Sequence, residues 1–236
     1  GMLKILVVED HALVREGLLR LLAQFEPGVV LRESADFESA LSILEGEDEV
    51  DLLLLDLALP GIDGFVGLDI LRRNFPAIPV VVVSAFDDLP TITRVMNLGA
   101  SGFIPKAYSG AALLAALRKV MAGDIFRPLG AGNGAQLDDV PPAAPSSEGV
   151  PPAEVGLTDR QAQVLALMVR GLPNREIADR RQFRGVRHDE IADHLGLSEG
   201  TVKIHVTAIF RTLGVSSRTQ ALVSVARHGI DFSKVF

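Results

Sequence analysis

The chain contains no cysteine, and its formal net charge of −7 shows no excess of positive charge. The first absence excludes a disulfide scaffold and a cysteine-rich zinc site. The second, taken alone, argues against a partner as acidic as nucleic acid. Long hydrophobic runs are also missing at the N-terminus, where the apolar stretch 3–8 meets Glu9 and Asp10. That run is too short for a signal-peptide core or a membrane span, so a soluble cytoplasmic protein with no membrane attachment is expected. What the chain does have is 236 residues, 48% of them hydrophobic and 22% charged. This composition supports packed cores rather than disorder, and the length favours two ordinary domains over one large one.

The net charge conceals an asymmetry. Residues 1–127 carry 11 Lys/Arg against 18 Asp/Glu, a net −7. Residues 128–156 carry four acids and no Lys/Arg, while 157–236 carry 12 Lys/Arg against eight acids, a net +4. An acidic regulatory half joined to a polyanion-binding half would show this distribution.

Periodicity divides the chain at the same places. Short apolar runs at 3–8, 29–31, 52–55, 80–83 and 102–104 alternate with amphipathic stretches at 12–25, 37–44, 65–74 and 111–121. Near-continuous apolar strands are buried on both faces, which predicts a five-stranded parallel sheet, doubly wound and flavodoxin-like. Residues 128–156 are rich in Pro, Gly, Ala and Ser without an apolar period, and read as a flexible linker. From Leu157 onward only helices are expected. Thr158 and Gln161 have the spacing of a capping box, ahead of apolar Val164, Leu165, Leu167 and Met168.

The chemistry collects at the strand ends, where ligands of such sheets bind. Glu9 and Asp10 follow the first strand, Asp56 ends the third, Ser84 ends the fourth and Lys106 follows the fifth. Three converging carboxylates repel one another unless a hard cation sits among them, and Mg²⁺ suits such oxygen ligands. A hydroxyl and an ammonium are fit to hold phosphoryl oxygens. Together they offer a carboxylate nucleophile, a metal and two phosphoryl-oxygen partners, the parts an acyl phosphate needs.

Through VVEDH, LLLDLALPGIDG, VVVSA and GFIPK, residues 2–122 resemble the receiver domain of two-component response regulators. The resemblance implies that Asp56 is the phosphoacceptor and that Asp10 ligates Mg²⁺ directly. It implies that Glu9 acts through water and that the Ala58 backbone carbonyl completes the protein's share. Ser84 and Lys106 match the residues that grip the phosphoryl group, and Phe103 matches an aromatic that turns inward as Ser84 moves; a plain core aromatic is the other reading. The bond after the lysine is often cis in similar receivers, which here is Lys106–Ala107. A histidine kinase would donate the phosphoryl group. Self-phosphorylation and autodephosphorylation are then the only chemistry expected, with no turnover of an external substrate. An aspartyl-phosphate phosphatase needs a second acid two residues after the nucleophile, where Ala58 stands.

In the C-terminal part, Gly196 closes one short helix and Ser198 caps the next, the turn of a helix-turn-helix. Val202, Val206, Ile209, Phe210 and Leu213 fall on one face of the second helix. Lys203, Ile204, Thr207 and Arg211 stay on the other, available to a DNA major groove. From Leu157 to about Ile230 the chain resembles the LuxR-type output domain of NarL/FixJ-like regulators. That implies a phosphate contact by Lys203 and base-edge contacts by Ile204, to a thymine methyl, and by Thr207, through a hydrogen bond. It further implies homodimerisation through the last helix, about 217–228, whose Ala221, Leu222, Val225 and Ala226 suit core packing equally well.

One departure from the family is plain. Residues 170–179 are echoed 14 residues later by 184–193, where the family has a single segment. This reads as a tandem duplication with the second copy in normal register. The extra copy adds Arg180, Arg181, Arg184 and Arg187; it could extend the scaffold, meet the DNA backbone, bulge harmlessly or impair binding. The expectation is a phosphorylation-switched transcription factor for double-stranded DNA, with a receiver at 1–127, a linker at 128–156 and an output domain at 157–236. The alternative is a protein-binding signalling adaptor whose helix-turn-helix is impaired by the insertion.

Overall fold

A computed structural model of the chain describes residues 2–46, 49–128, 149–172 and 185–236. Most of the expected linker and the first copy of the repeat from 173 onward, with Arg180, Arg181 and Arg184, lie outside the described residues. The contact pattern forms two compact units, one of Gly1–Pro60 with Ile78–Ser147, the other of Gly61–Ala77 with Glu148–Phe236.

The first unit holds five strands, β1 (Lys4–Val8), β2 (Val30–Ser34), β3 (Leu52–Asp56), β4 (Val80–Ser84) and β5 (Gly102–Pro105). They form one parallel sheet in the order β2-β1-β3-β4-β5, the doubly wound arrangement the apolar runs predict. Every residue of β3 and β4 is buried. Removing each such leucine or valine from water contributes about 1.5–3 kcal/mol, which offsets the backbone ordering of the central strands. Alternate strand residues Ile5, Val7, Leu52, Leu54, Val81, Val83 and Ile104 face one core with Leu22 of α1 (Ala12–Leu22) and Leu113 and Leu117 of α5 (Gly110–Met121). Gly110 lies against α1, where an added Cβ would come within 2.8 Å of Leu21 Cδ1 and would move that side-chain tip. Helix α2 (Phe37–Glu45), capped by Asp36, contacts β1 and β2, and α4 (Leu89–Asn97) contacts β5.

Helix α4 falls outside the stretches expected from periodicity. Its opening, Leu-Pro-Thr-Ile-Thr, is a weak helical signal. Pro90 nonetheless falls in the first turn, where no N–H partner is lost. The Asp88 side chain accepts the N–H of Thr91 at 3.1 Å and so starts the helix. A second difference concerns the bond after Lys106: no described peptide bond is cis. The next residue is Ala107, and a cis bond before a non-proline residue costs about 3–4 kcal/mol.

In the second unit, α3 (Gly64–Asn74) packs with α6 (Asp159–Arg170) and α9 (Arg218–His228). Asn74 is buried; its amide donates to the carbonyls of Ile70 at 2.8 Å and Val169 at 2.7 Å and accepts from Arg218. Arg170 pairs with Asp69 at 3.5 Å. The reciprocal capping box of Thr158 and Gln161 is present. Helix α7 (His188–Leu195) is the second copy of the repeat, and it packs with α8 (Glu199–Leu213) and α6. Within it, Ile191 and Ala192 are buried, so the second copy contributes to the core among the described residues. Upstream, Val150 forms a parallel bridge with Ile230, and residues Pro152–Val155 form a short 3-10 helix. Because Ile191 is wholly enclosed, Ile191→Ala should destabilise the C-terminal helices by about 2–5 kcal/mol. Urea denaturation monitored by circular dichroism measures this, and an unchanged midpoint would contradict the placement of the second copy in the core.

Candidate functional site

Strand register brings the expected side chains to one edge of the sheet. Val8 pairs with Leu55, Asp56 with Val83, and Ser84 with Pro105. Residues just beyond or at these pairs therefore emerge together at the carboxyl ends of the strands. Glu9 is fixed by main-chain bonds, its N–H donating to the Ser34 carbonyl at 3.0 Å. Its own carbonyl accepts the Arg15 guanidinium at 2.7 Å. Arg15, which also meets Glu33 at 3.8 Å, is a positioning residue that sequence reading missed. No spacing signal marks it; it is one of several polar residues on α1.

Glu9, Asp10 and Asp56 each offer a carboxylate oxygen within 4.8 Å of the others. Glu9 and Asp56 are buried, whereas Asp10 is exposed. Lys106 enters between the two buried acids, with Nζ at 3.2 Å and 3.3 Å from the Glu9 carboxylate oxygens and 3.4 Å from Asp56 Oδ2. The other Asp56 oxygen, Oδ1, accepts the Ala58 N–H at 3.0 Å. One ammonium thus faces the two buried acids, with the Asp10 carboxylate beside them. Burial, first, pushes the Glu9 carboxyl above its ordinary range; hydrogen bonding to Asp56 and the charge of Asp56 add to this, while Lys106 opposes it. The donor set fits a hard divalent cation: three carboxylates, one of them open to solvent, and too little positive charge among themselves.

The remaining expected residues are near but differently disposed. Ser84 is fully buried, and its Oγ accepts the N–H of Phe86 at 3.0 Å rather than meeting the carboxylates. Lys106 N–H donates to the Ser84 carbonyl at 2.8 Å, tying the ends of β4 and β5 together. Phe103 is wholly enclosed. Ala58 is exposed, with its N–H committed to Asp56.

The helix-turn-helix is built as its caps require. Gly196 adopts φ +68°, a left-handed conformation glycine takes without strain, and ends α7. Ser198 then accepts the Thr201 N–H at 3.1 Å and starts α8. Val202, Val206 and Ile209 are buried, with Phe210 and Leu213 half-buried beside them. Lys203, Ile204, Thr207 and Arg211 are all exposed. Arg187, expected as a possible backbone contact, is exposed and paired with Asp189 at 2.9 Å and Glu190 at 3.3 Å. Ala221, Leu222, Val225 and Ala226 of α9 are buried inside the unit, consistent with the packing reading of that helix. No helix among the described residues is long and apolar enough to cross a membrane.

The raised Glu9 carboxyl carries a consequence for stability. An acid whose folded pKa lies above its unfolded value favours folding at low pH, and that contribution is lost as pH rises through the folded value. Glu9→Gln should therefore stabilise the metal-free protein near neutral pH, with the gain shrinking as pH falls toward the ordinary carboxylate range. Thermal melts in chelator across that pH window check this; a variant less stable than wild type at neutral pH would contradict it.

Comparison with known proteins agrees with this architecture. Residues 5–118 match the response regulator receiver domain, and residues 180–225 match the luxR family of bacterial regulatory proteins. The second match begins inside the duplicated stretch and includes the second copy. A glycerol metabolism activator from Pseudomonas putida is 34% identical, with 98% of each chain covered. The transcriptional regulatory protein LnrK of Bacillus subtilis is 30% identical, covering 98% of this chain and 99% of its own. The solved structure of RcsB from Salmonella enterica serovar Typhimurium, bound to a promoter, covers 96% of this chain and 99% of its own at 20% identity and TM-score 0.53, a likeness of fold. With its acidic strand-end site, its intact helix-turn-helix and relatives matched over nearly their full length, the chain belongs to the two-component response regulators that join a receiver domain to a LuxR-type output domain.

Proposed function

We propose that Asp56 accepts a phosphoryl group from a histidine kinase and that its phosphorylation controls binding of double-stranded DNA by α8. The observation that carries this reading is the convergence of Glu9, Asp10 and Asp56 within 4.8 Å beside Lys106. An Asp56 carboxylate oxygen attacks the phosphorus of a phosphohistidine; the new P–O bond forms as the P–N bond breaks, and the imidazole leaves with the electron pair. Lys106, already 3.4 Å from Asp56 Oδ2, meets the negative charge of the incoming group. Ser84 would release the Phe86 N–H and turn its hydroxyl to a phosphoryl oxygen, with enclosed Phe103 packing behind it. Glu9, Asp10, Asp56 and the Ala58 carbonyl would hold Mg²⁺, which would offset the negative charge of the carboxylates and the incoming phosphoryl group. Hydrolysis of the aspartyl phosphate resets the site, so the chemistry is self-directed and the chain turns over no other substrate.

Residues 1–127 would act as the receiver, 128–156 as the connecting segment and 157–236 as the output domain of a cytoplasmic regulator. On DNA, Lys203 would neutralise phosphate while Ile204 and Thr207 approach base edges and Arg211 extends the contact. A homodimer on paired half-sites matches the two-fold logic of such operators. The Gly196 C-cap of α7 and the Ser198 N-cap of α8, which build the turn, favour a working helix-turn-helix over the adaptor alternative.

Adding a small phosphodonor with Mg²⁺ should tighten wild-type binding to duplexes selected from a random pool by at least about fivefold, the low end of ordinary coupling. Asp56→Asn should not respond, and Lys203→Ala should lower the salt slope by about one. An equal response in Asp56→Asn removes Asp56 from the switch.

A further inference from the structure

After α5 the chain returns to the sheet before it enters the stretch rich in Pro, Gly, Ala and Ser. Phe126 forms a parallel bridge with Gly102, on the side of β5 away from β4. Its N–H donates to the Ser101 carbonyl at 2.9 Å, and its carbonyl accepts the Phe103 N–H at 3.1 Å. A Cβ on Gly102 would lie 3.3 Å from Phe126 Cβ, so glycine there permits the close approach. The Phe126 ring meets Tyr108 edge-on, with centroids 6.2 Å apart, and Lys119 Nζ of α5 lies 5.9 Å from its centroid. One residue on, the Arg127 guanidinium donates to Thr93 Oγ1 of α4 at 3.2 Å. Two consecutive residues therefore touch β5, α4, α5 and the turn that follows β5.

That turn carries Lys106. Its N–H is tied to the Ser84 carbonyl at 2.8 Å, and the Tyr108 N–H to the Pro105 carbonyl at 3.0 Å, so Lys106 and Tyr108 share one tight turn. Lys106 Nζ lies 3.2 Å from Glu9 and 3.4 Å from Asp56. To meet the oxygens of an incoming phosphoryl group it must give up part of this arrangement. A turn this short passes the shift to the Tyr108 ring, and edge-to-face pairing with Phe126 depends on ring orientation.

We infer that residues 126–127 are a strap that holds the start of the connecting segment to β5 and α4 while Asp56 is unmodified, and that phosphorylation of Asp56 loosens it. The inference rests on the switch proposed above and names the element that carries it out of the sheet. A contact made in one state and weakened in the other is what lets an event at Asp56 bias the chain beyond residue 127. Loosening adds residues 122–127 to the span available between the sheet and the output domain, which eases the pairing of two output domains on DNA.

Amide hydrogen exchange of the full chain reads the strap directly, through the N–H groups of Phe103 and Phe126. With acetyl phosphate and Mg²⁺, exchange at both should quicken by at least about fivefold, the low end of ordinary coupling, and Asp56→Asn should show no change. Phe126→Leu keeps apolar bulk against the core but removes the ring pairing, a contact of about two- to tenfold in an equilibrium. Without phosphodonor it should tighten binding of enriched duplexes by about that factor, and its response to phosphodonor should shrink to match, with Asp56 still phosphorylated. Arg127→Ala, which removes the bond to Thr93 from a half-exposed site, should shift binding the same way and does not disturb the core. Unchanged or slowed exchange in a chain phosphorylated on Asp56 overturns the strap, and so do two variants that bind and respond like wild type. No phosphoryl group on Asp56 is a different result, and overturns the switch beneath it.

Discussion

Two buried carboxylates, Glu9 and Asp56, held around a single ammonium with Asp10 beside them, make the interaction on which the strand-end site of the first unit depends. Two of these acids are buried, where unpaired charge costs several kcal/mol, and Lys106 compensates both at once from 3.2 to 3.4 Å. Such a cluster has an unmet demand for positive charge when it stands alone, which suits it to the divalent cation and phosphoryl group of the proposed function. Burial first, and then the hydrogen bond to Asp56 and its charge, hold the Glu9 carboxyl above its ordinary value. A parallel sheet is a suitable support, since its register places the ends of β1, β3, β4 and β5 side by side without further design.

Much of this was legible in the sequence, for identifiable reasons. Strands buried on both faces write near-continuous apolar runs, and an acid, a hydroxyl or an amine directly after such a run must emerge at the sheet edge. The caps at Thr158 and Ser198 are local, so their residues announce the helices they start. The register of the repeat was legible because its two Ile-Ala-Asp segments are identical while their downstream neighbours are not. Only the second leads into the His194-Leu195-Gly196 turn.

What stayed hidden depends on long-range geometry or on side-chain rotation. Arg15 gives no spacing signal for its bond to the Glu9 carbonyl, because that contact arises where α1 passes β1. Ser84 could be placed at the strand end, but not the bond its hydroxyl makes with Phe86. Amphipathic periodicity shows that α3 buries a face without saying against what. Asn74, which binds the Val169 carbonyl across 95 residues of chain, reads as an ordinary polar residue at a helix end.

The proposed phosphoryl carrier makes one demand above the others, that the covalent bond form on Asp56 and depend on the divalent cation. Intact-protein mass spectrometry with peptide mapping, after incubation with acetyl phosphate and Mg²⁺, measures this directly. The expected result is one phosphoryl group on Asp56, absent with chelator and absent from Asp56→Asn. A phosphoryl group on another side chain, or none under these conditions, would contradict the account.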